Sequence, residues 1–154
     1  MVEAAVGGDG HGQALLMLQR MLDCTVEVAH DSTGAPFLPT HPGLWVSISH
    51  CRSAVAVAVG TAAVGIDVEC RRAINPSLAG RVCSEAELRE IEASPDRTMA
   101  FLRLWTRKEA VLKLRRTGIQ GFGSLVTALA DSAVQLQDLE YPAPHTVASL
   151  AVIN

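Results

Sequence analysis

The sequence of 154 residues predicts an α+β fold, on three observations. Apolar and small polar residues alternate through 45–69, as in half-buried strands. Helical periodicity replaces that alternation between Ser84 and about Arg116. Alternation returns at 133–141, and an apolar run follows at 146–153. Strands, then helices, then strands indicate antiparallel strands with helices packed on them.

The elements follow in chain order. Residues 1–11 include Gly7, Gly8 and Gly10, which restrain the backbone little, so a flexible N-terminus is expected. Leu15, Leu16, Leu18 and Leu22 recur at helical spacing and predict an amphipathic helix over 12–22. VEVAH (26–30) alternates as a strand, and DSTGAPF (31–37) is a turn punctuated by Gly34 and Pro36. WVSISH (45–50), SAVAVAVG (53–60) and AAVGIDVE (62–69) read as three strands. Their short connections favour an antiparallel meander. Asn75 or Ser77 suits the cap of a short helix. Ser84 followed by Glu87 forms a capping box for a helix to about Ile91. SPDR (94–97) breaks the chain. A longer helix then runs from about Arg97 to Arg116, with Met99, Leu102, Trp105, Val111 and Leu112 toward the core. Gly118, Gly121 and Gly123 end it in a loop. The final runs, 133–141 and 146–153, pair across YPAPH. No linker or repeat interrupts 12–154, which reads as a single domain.

Composition narrows the function classes. Hydrophobic residues make up 49% and charged residues 19%, which describes a soluble globular chain with a real core. The net charge of -3 and 4% aromatic content give no basis for nucleic-acid binding. No stretch has the length and apolarity of a membrane span, and no secretory leader is evident. Cys24, Cys51, Cys70 and Cys83 stand far apart without a CxxC pair, so reduced thiols and a cytoplasmic location are expected.

Three short stretches carry chemistry. In WTRKEAVLK (105–113), Trp105, Glu109 and Lys113 are four residues apart and share one helix stripe. A plain surface Glu-to-Lys pair beside a core tryptophan is the structural alternative. In VGIDVE (64–69), Asp67 and Glu69 point to one face of a strand. Such like charges repel unless a cation sits between them, and Mg2+ favours carboxylate oxygens. A solvated pair at a strand end is the alternative. In SISHCRS (47–53), Ser47 and Ser49 share a face and His50 ends the strand. An imidazole there offers N–H donors to a phosphate, or is simply exposed.

The order and spacing of these stretches is more specific than any one of them. GAP (34–36), SISH (47–50), GIDVE (65–69) and WTRKEAVLK (105–113), with 39 residues between Glu69 and Glu109, resemble the 4'-phosphopantetheinyl transferases of the surfactin-synthetase-activator type. GIQGF (118–122) is similar to the glycine loop after that family's long helix. The resemblance covers roughly 26–153. It implies a 4'-phosphopantetheinyl transferase-like fold of two pseudo-related halves, the first one trimmed. It implies transfer of the phosphopantetheine arm of coenzyme A to a serine of an apo acyl or peptidyl carrier protein, with release of adenosine 3',5'-bisphosphate. Asp67, Glu69 and Glu109 would hold Mg2+. Glu109 would also be the general base, and Lys113 would contact the phosphate being transferred. His50, Ser49, Lys108, Gly34 and Pro36 would contact coenzyme A. Lys108 lies about 100° round the helix from Glu109, which puts it on coenzyme A or at the rim.

The chain departs from the family pattern in two places. Only about 60 residues precede GIDVE, and basic residues near the N-terminus that contact coenzyme A have no counterpart. Ala35 stands where lysine is common. Arg52, Arg71 and Arg72 are candidate substitutes, or else solvated surface arginines. Weaker coenzyme A binding than in a full-length member is expected. A monomer is favoured, although small holo-acyl-carrier-protein synthases of this fold form trimers. Two other functions compete: a non-catalytic member that binds coenzyme A or a carrier protein, and a Mg2+-dependent phosphohydrolase using the same carboxylates.

Overall fold

Strand β5 (Ala54–Gly60) is the centre of the first sheet, because both of its faces are apolar. The structure, a computed structural model, describes residues 1–6, 9–117, 125–141 and 143–153. Val55, Val57 and Val59 face helix α1 (Gly10–Leu22), where Ala14, Met17 and Leu18 are buried. Ala54, Ala56 and Ala58 face the other way and meet Val64, Ile66 and Val68 of β6 (Val64–Cys70). Alanine on that face lets a second sheet approach closely, and valine on the other fills the space under a helix.

Strand β1 (Val2–Val6) and strand β4 (Trp45–Cys51) flank β5, both antiparallel, in the order β1-β5-β4. The N-terminal segment is thus not free along its length, as its glycines suggested. Residues 2–6 form a five-residue ladder with β5, and the Tyr141 hydroxyl bonds the carbonyl of Ala5. The short hairpin β2 (Ala29–His30) and β3 (Pro36–Phe37) lies between α1 and β4, so only the end of the strand expected at 26–30 forms. Gly34 turns that hairpin at φ +83°, a left-handed conformation that glycine adopts without strain.

The predicted meander stops after two strands. β6 joins a second antiparallel sheet, β6-β8-β7, with β7 spanning Val134–Leu139 and β8 Thr146–Ile153. β1 already occupies the free edge of β5, so β6 runs beside β4 instead. Side chains make that seam. The N–H groups of Ile66 and Val68 donate to the hydroxyls of Ser47 (3.0 Å) and Ser49 (3.2 Å), which aligns β4 and β6 in parallel. Cys51 and Cys70, at the ends of these two strands, are joined by a disulfide. This corrects the expectation of reduced thiols at those two positions. The parallel alignment brings together residues that stand 19 apart in sequence. Cys24 and Cys83 are free.

Helices α2 (Pro76–Val82) and α3 (Glu85–Ala93) pack on the start of the long helix α4 (Arg97–Arg115). Asn75 caps α2, and Ser84 with Glu87 closes the predicted capping box of α3. α4 covers the outer face of the second sheet through Ala110, Val111, Leu114 and Ala151. A 3-10 turn, Ala128–Ala130, leads into β7. The GIQGF stretch lies outside the described residues. Among the described residues, no helix is long and apolar enough to cross a membrane.

Candidate active site

The alternation of β6 sends Gly65, Asp67 and Glu69 toward α4, while Val64, Ile66 and Val68 enter the core between the sheets. Gly65 is what lets the helix come so close. A Cβ at this position would stand 2.0 Å from the carbonyl oxygen of Ala110 and 2.5 Å from the backbone nitrogen of Leu114. With α4 pressed against β6, the stripe Trp105–Glu109–Lys113 lies beside Asp67 and Glu69. All five residues, with Ser49 and His50, line one open pocket.

Asp67 is its most constrained member, with 6% exposure. Its Oδ1 accepts from the Lys113 ammonium at 2.7 Å and from the Ser49 hydroxyl at 2.8 Å. Its Oδ2 is buried without a hydrogen-bond partner among the described residues. Burial raises the Asp67 pKa above the ordinary aspartate value, although Lys113 pulls the other way. Glu109 is raised too, by burial first and by the charge of Asp67 second. Glu69 accepts both Nε and Nη2 of Arg72, at 3.1 and 3.0 Å.

Three carboxylates and an unpartnered buried oxygen fit a hard divalent cation by donor chemistry. Among the described residues, however, no three His, Cys, Asp or Glu side chains are drawn together into a ready metal cluster. Lys113 and Arg72 balance the acids in this arrangement.

The other expected site residues divide. His50 is exposed at the pocket rim, its ring against the first turn of α1. A Cβ at Gly10 would stand 2.8 Å from the His50 Cγ. Ser49 lines the pocket, but its hydroxyl is committed to Asp67 and to the seam. Gly34 and Pro36 line a neighbouring cavity of about 240 Å³, which shares Glu109 and Lys113 with the first pocket.

Lys108 is corrected. It is fully buried and points away from the site, its ammonium 2.7 Å from both the Val82 carbonyl and Glu87 Oε2. The rotation of about 100° that separates it from Glu109 carries it to α2 and α3. Trp105, expected in the core, is half-buried. It packs on Phe101 with ring centroids 6.1 Å apart and lines the pocket with its other side. Arg71 and Arg72 are paired, with Asp96 and Glu69. Sequence reasoning missed Arg116, which lines the cavity beside Pro36. A cation just beyond a helix end is usually read as a response to the helix dipole.

Comparison with known proteins adds to the geometry. Residues 63–148, which include both GIDVE and WTRKEAVLK, match the 4'-phosphopantetheinyl transferase superfamily. The chain is 33% identical over 145 residues to the 4'-phosphopantetheinyl transferase AcpT of Salmonella typhi, covering 86% of this chain and 76% of that one. It is 33% identical over 118 residues to the 4'-phosphopantetheinyl transferase psf-1 of Bacillus pumilus, covering 73% of this chain and 51% of the relative. The similarity to Sfp of Bacillus subtilis is 28% over 115 residues, with the same two coverages.

Proposed function

This chain belongs to the 4'-phosphopantetheinyl transferase superfamily, and from that premise we propose its reaction. It transfers the 4'-phosphopantetheine group of coenzyme A to a serine hydroxyl of an apo acyl or peptidyl carrier protein. The reaction depends on Mg2+ and releases adenosine 3',5'-bisphosphate. The observation that carries this reading is the pocket in which Asp67, Glu69, Glu109, Lys113 and His50 converge, with one oxygen of Asp67 buried and unpartnered among the described residues.

Each residue takes a role from its position. Asp67, Glu69 and Glu109 would hold the ion. When bound, Mg2+ supplies charge neutralisation at the pyrophosphate and at the leaving phosphate. Glu109 accepts the proton of the carrier serine as its oxygen bonds to the phosphorus nearest the pantetheine arm. The bond from that phosphorus to the bridging oxygen breaks, and adenosine 3',5'-bisphosphate leaves. Lys113 stands at the meeting of both pockets, where it offsets the charge on the transferred phosphoryl group. His50 donates to a phosphate oxygen at the rim.

We read the two three-stranded sheets as pseudo-related halves. In each, the last strand is central and the main helix follows the first strand, as β1-β5-β4 with α1 and β6-β8-β7 with α4. We further infer a monomer whose transferase domain joins β1 to 12–154, since β1 completes the first sheet and β4, β6 and α4 of one chain supply the pocket. Light scattering tests the monomer.

Intact-protein mass spectrometry tests the reaction. Apo carrier proteins incubated with the chain, coenzyme A and Mg2+ should gain one phosphopantetheine group, and chelation or Glu109→Gln should abolish the gain. Coenzyme A binding without transfer to any carrier type would favour a non-catalytic role.

A further inference from the structure

Arg116 ends α4 in a left-handed conformation at φ 53°. Its guanidinium lies over the Trp45 ring, 4.6 Å from the centroid. One Nη donates to Asp31 Oδ2 at 3.1 Å and the other to the Pro36 carbonyl at 3.4 Å. Asp31 is itself fixed by the Thr33 backbone N–H and hydroxyl and by the Ala35 N–H. The arginine is therefore clamped by a ring on one face and by a held carboxylate at one edge. Its side chain keeps 27% exposure. A guanidinium has five N–H donors, and two are in use here among the described residues.

The other donors belong to a side chain that lines the cavity of about 240 Å³ with Ala35, Pro36, Glu109 and Lys113. Lys113, the other cation among its described lining residues, is bonded to Asp67. Of the arginines expected from the sequence, Arg71 pairs with Asp96 and Arg72 with Glu69, and Arg52 is exposed and lines neither this cavity nor the pocket of Asp67. Glu109 and Lys113 form the wall between this cavity and the pocket of Asp67 and Glu69. A pyrophosphate seated at that wall has the cavity beside it. Coenzyme A carries a second phosphate, a monoester on its ribose, which takes no part in the transfer. A planar guanidinium matches such a monoester with two parallel hydrogen bonds, and clamping it beforehand lowers the entropy lost on binding.

We propose that Arg116 binds the 3'-phosphate of coenzyme A and sets the preference of this chain for coenzyme A over its 3'-dephospho form. The proposal rests on the transferase reading above and adds the residue that reads the nucleotide end. Asp31 and Trp45 act as positioning residues for it.

Calorimetric titration tests this, with coenzyme A and 3'-dephospho-coenzyme A as ligands in the presence of Mg2+. The wild type should bind coenzyme A about tenfold or more tightly than the dephospho form, the worth of a charge-assisted pair. In Arg116→Gln that ratio should fall to within about twofold of unity. In Arg116→Lys, which keeps the charge and loses the fork, it should fall about threefold, so the test survives if the glutamine variant does not fold. A wild type without preference overturns the proposal. So does a ratio unchanged in the variants, because equal weakening of both ligands is what a purely structural tie would give. If transfer proceeds and the ratio is unchanged, this proposal alone fails. If the ratio collapses in the variants but no carrier is modified, the transferase reading fails and Arg116 stands as a binding residue.

Discussion

Lys113 holds one oxygen of Asp67. Its ammonium donates to Oδ1 at 2.7 Å, while Oδ2 is buried with no hydrogen-bond partner among the described residues. A carboxylate so placed has an oxygen of the kind that a hard cation prefers. Burial outweighs the lysine, so the Asp67 pKa is raised. A carboxyl with a higher pKa folded than unfolded stabilises the fold fully below its unfolded value. That stabilisation is lost as pH rises through the folded value. Asp67→Asn removes the effect. In chelator, the melting temperature of the variant relative to wild type should therefore climb as pH rises from about 4 to 7. Mg2+ should raise the wild-type melting temperature and leave the variant unmoved. Scanning calorimetry across that range measures both, and a gap that is flat with pH would rule out charge burial as the cause.

Lys108 is predicted to matter for stability and not for ligand binding. Lys108→Ala leaves Glu87 and the Val82 carbonyl without their ammonium. Removing one partner of such a buried pair costs about 3–5 kcal/mol. Urea denaturation should show that loss. Coenzyme A affinity, titrated at low temperature where the variant is folded, should be close to wild type. A large affinity loss there would return Lys108 to the site.

Gly65→Ala should be worse tolerated than its size suggests. The added methyl meets backbone atoms of α4, which cannot rotate away as a side chain would. A loss of about 3 kcal/mol is expected, at the upper end for overpacking. The helix should also shift outward, carrying Glu109 and Lys113 from Asp67. Denaturation curves and the Mg2+-induced melting shift report the two effects separately.

The Cys51–Cys70 bond closes a short loop between the sheets. Cross-linking residues 19 apart restricts the unfolded chain by about 3 kcal/mol on the chain-entropy account. The double variant Cys51→Ser with Cys70→Ser should melt lower by that amount, and a reductant should lower the wild type to match. An identical melting temperature with and without reductant would mean that the bond does not form in solution.

Much of the site was legible in the sequence because its residues sit at periodic positions within single elements. Glu109 and Lys113 share a helix stripe, and Asp67 and Glu69 share a strand face, so local spacing alone orients them. The capping box of α3 and the limits of α4 were legible for the same reason. Relations across the chain were not. β1 looked loose because its partner in β5 begins some fifty residues later, and glycines beside a strand say nothing of a distant ladder. β6 looked like a third meander strand because its short connection to β5 resembles a hairpin, while its backbone partner β8 ends the chain. Lys108 carried a motif position outward to the ligand in expectation. Only the packing of α2 and α3 reveals that it points inward.

Ser49 makes the joint between the sheets and the charge at the site a single hydrogen-bonded chain. The Val68 N–H donates to its hydroxyl, and that hydroxyl donates to Asp67. If the proposed cation binds Asp67, linkage is reciprocal: whatever factor it tightens this seam by, a tighter seam must raise its affinity by the same factor. The disulfide, two residues further along each strand, ties the same two strands covalently from outside the pocket. Reducing it is therefore a way to loosen the joint without touching a residue of the site.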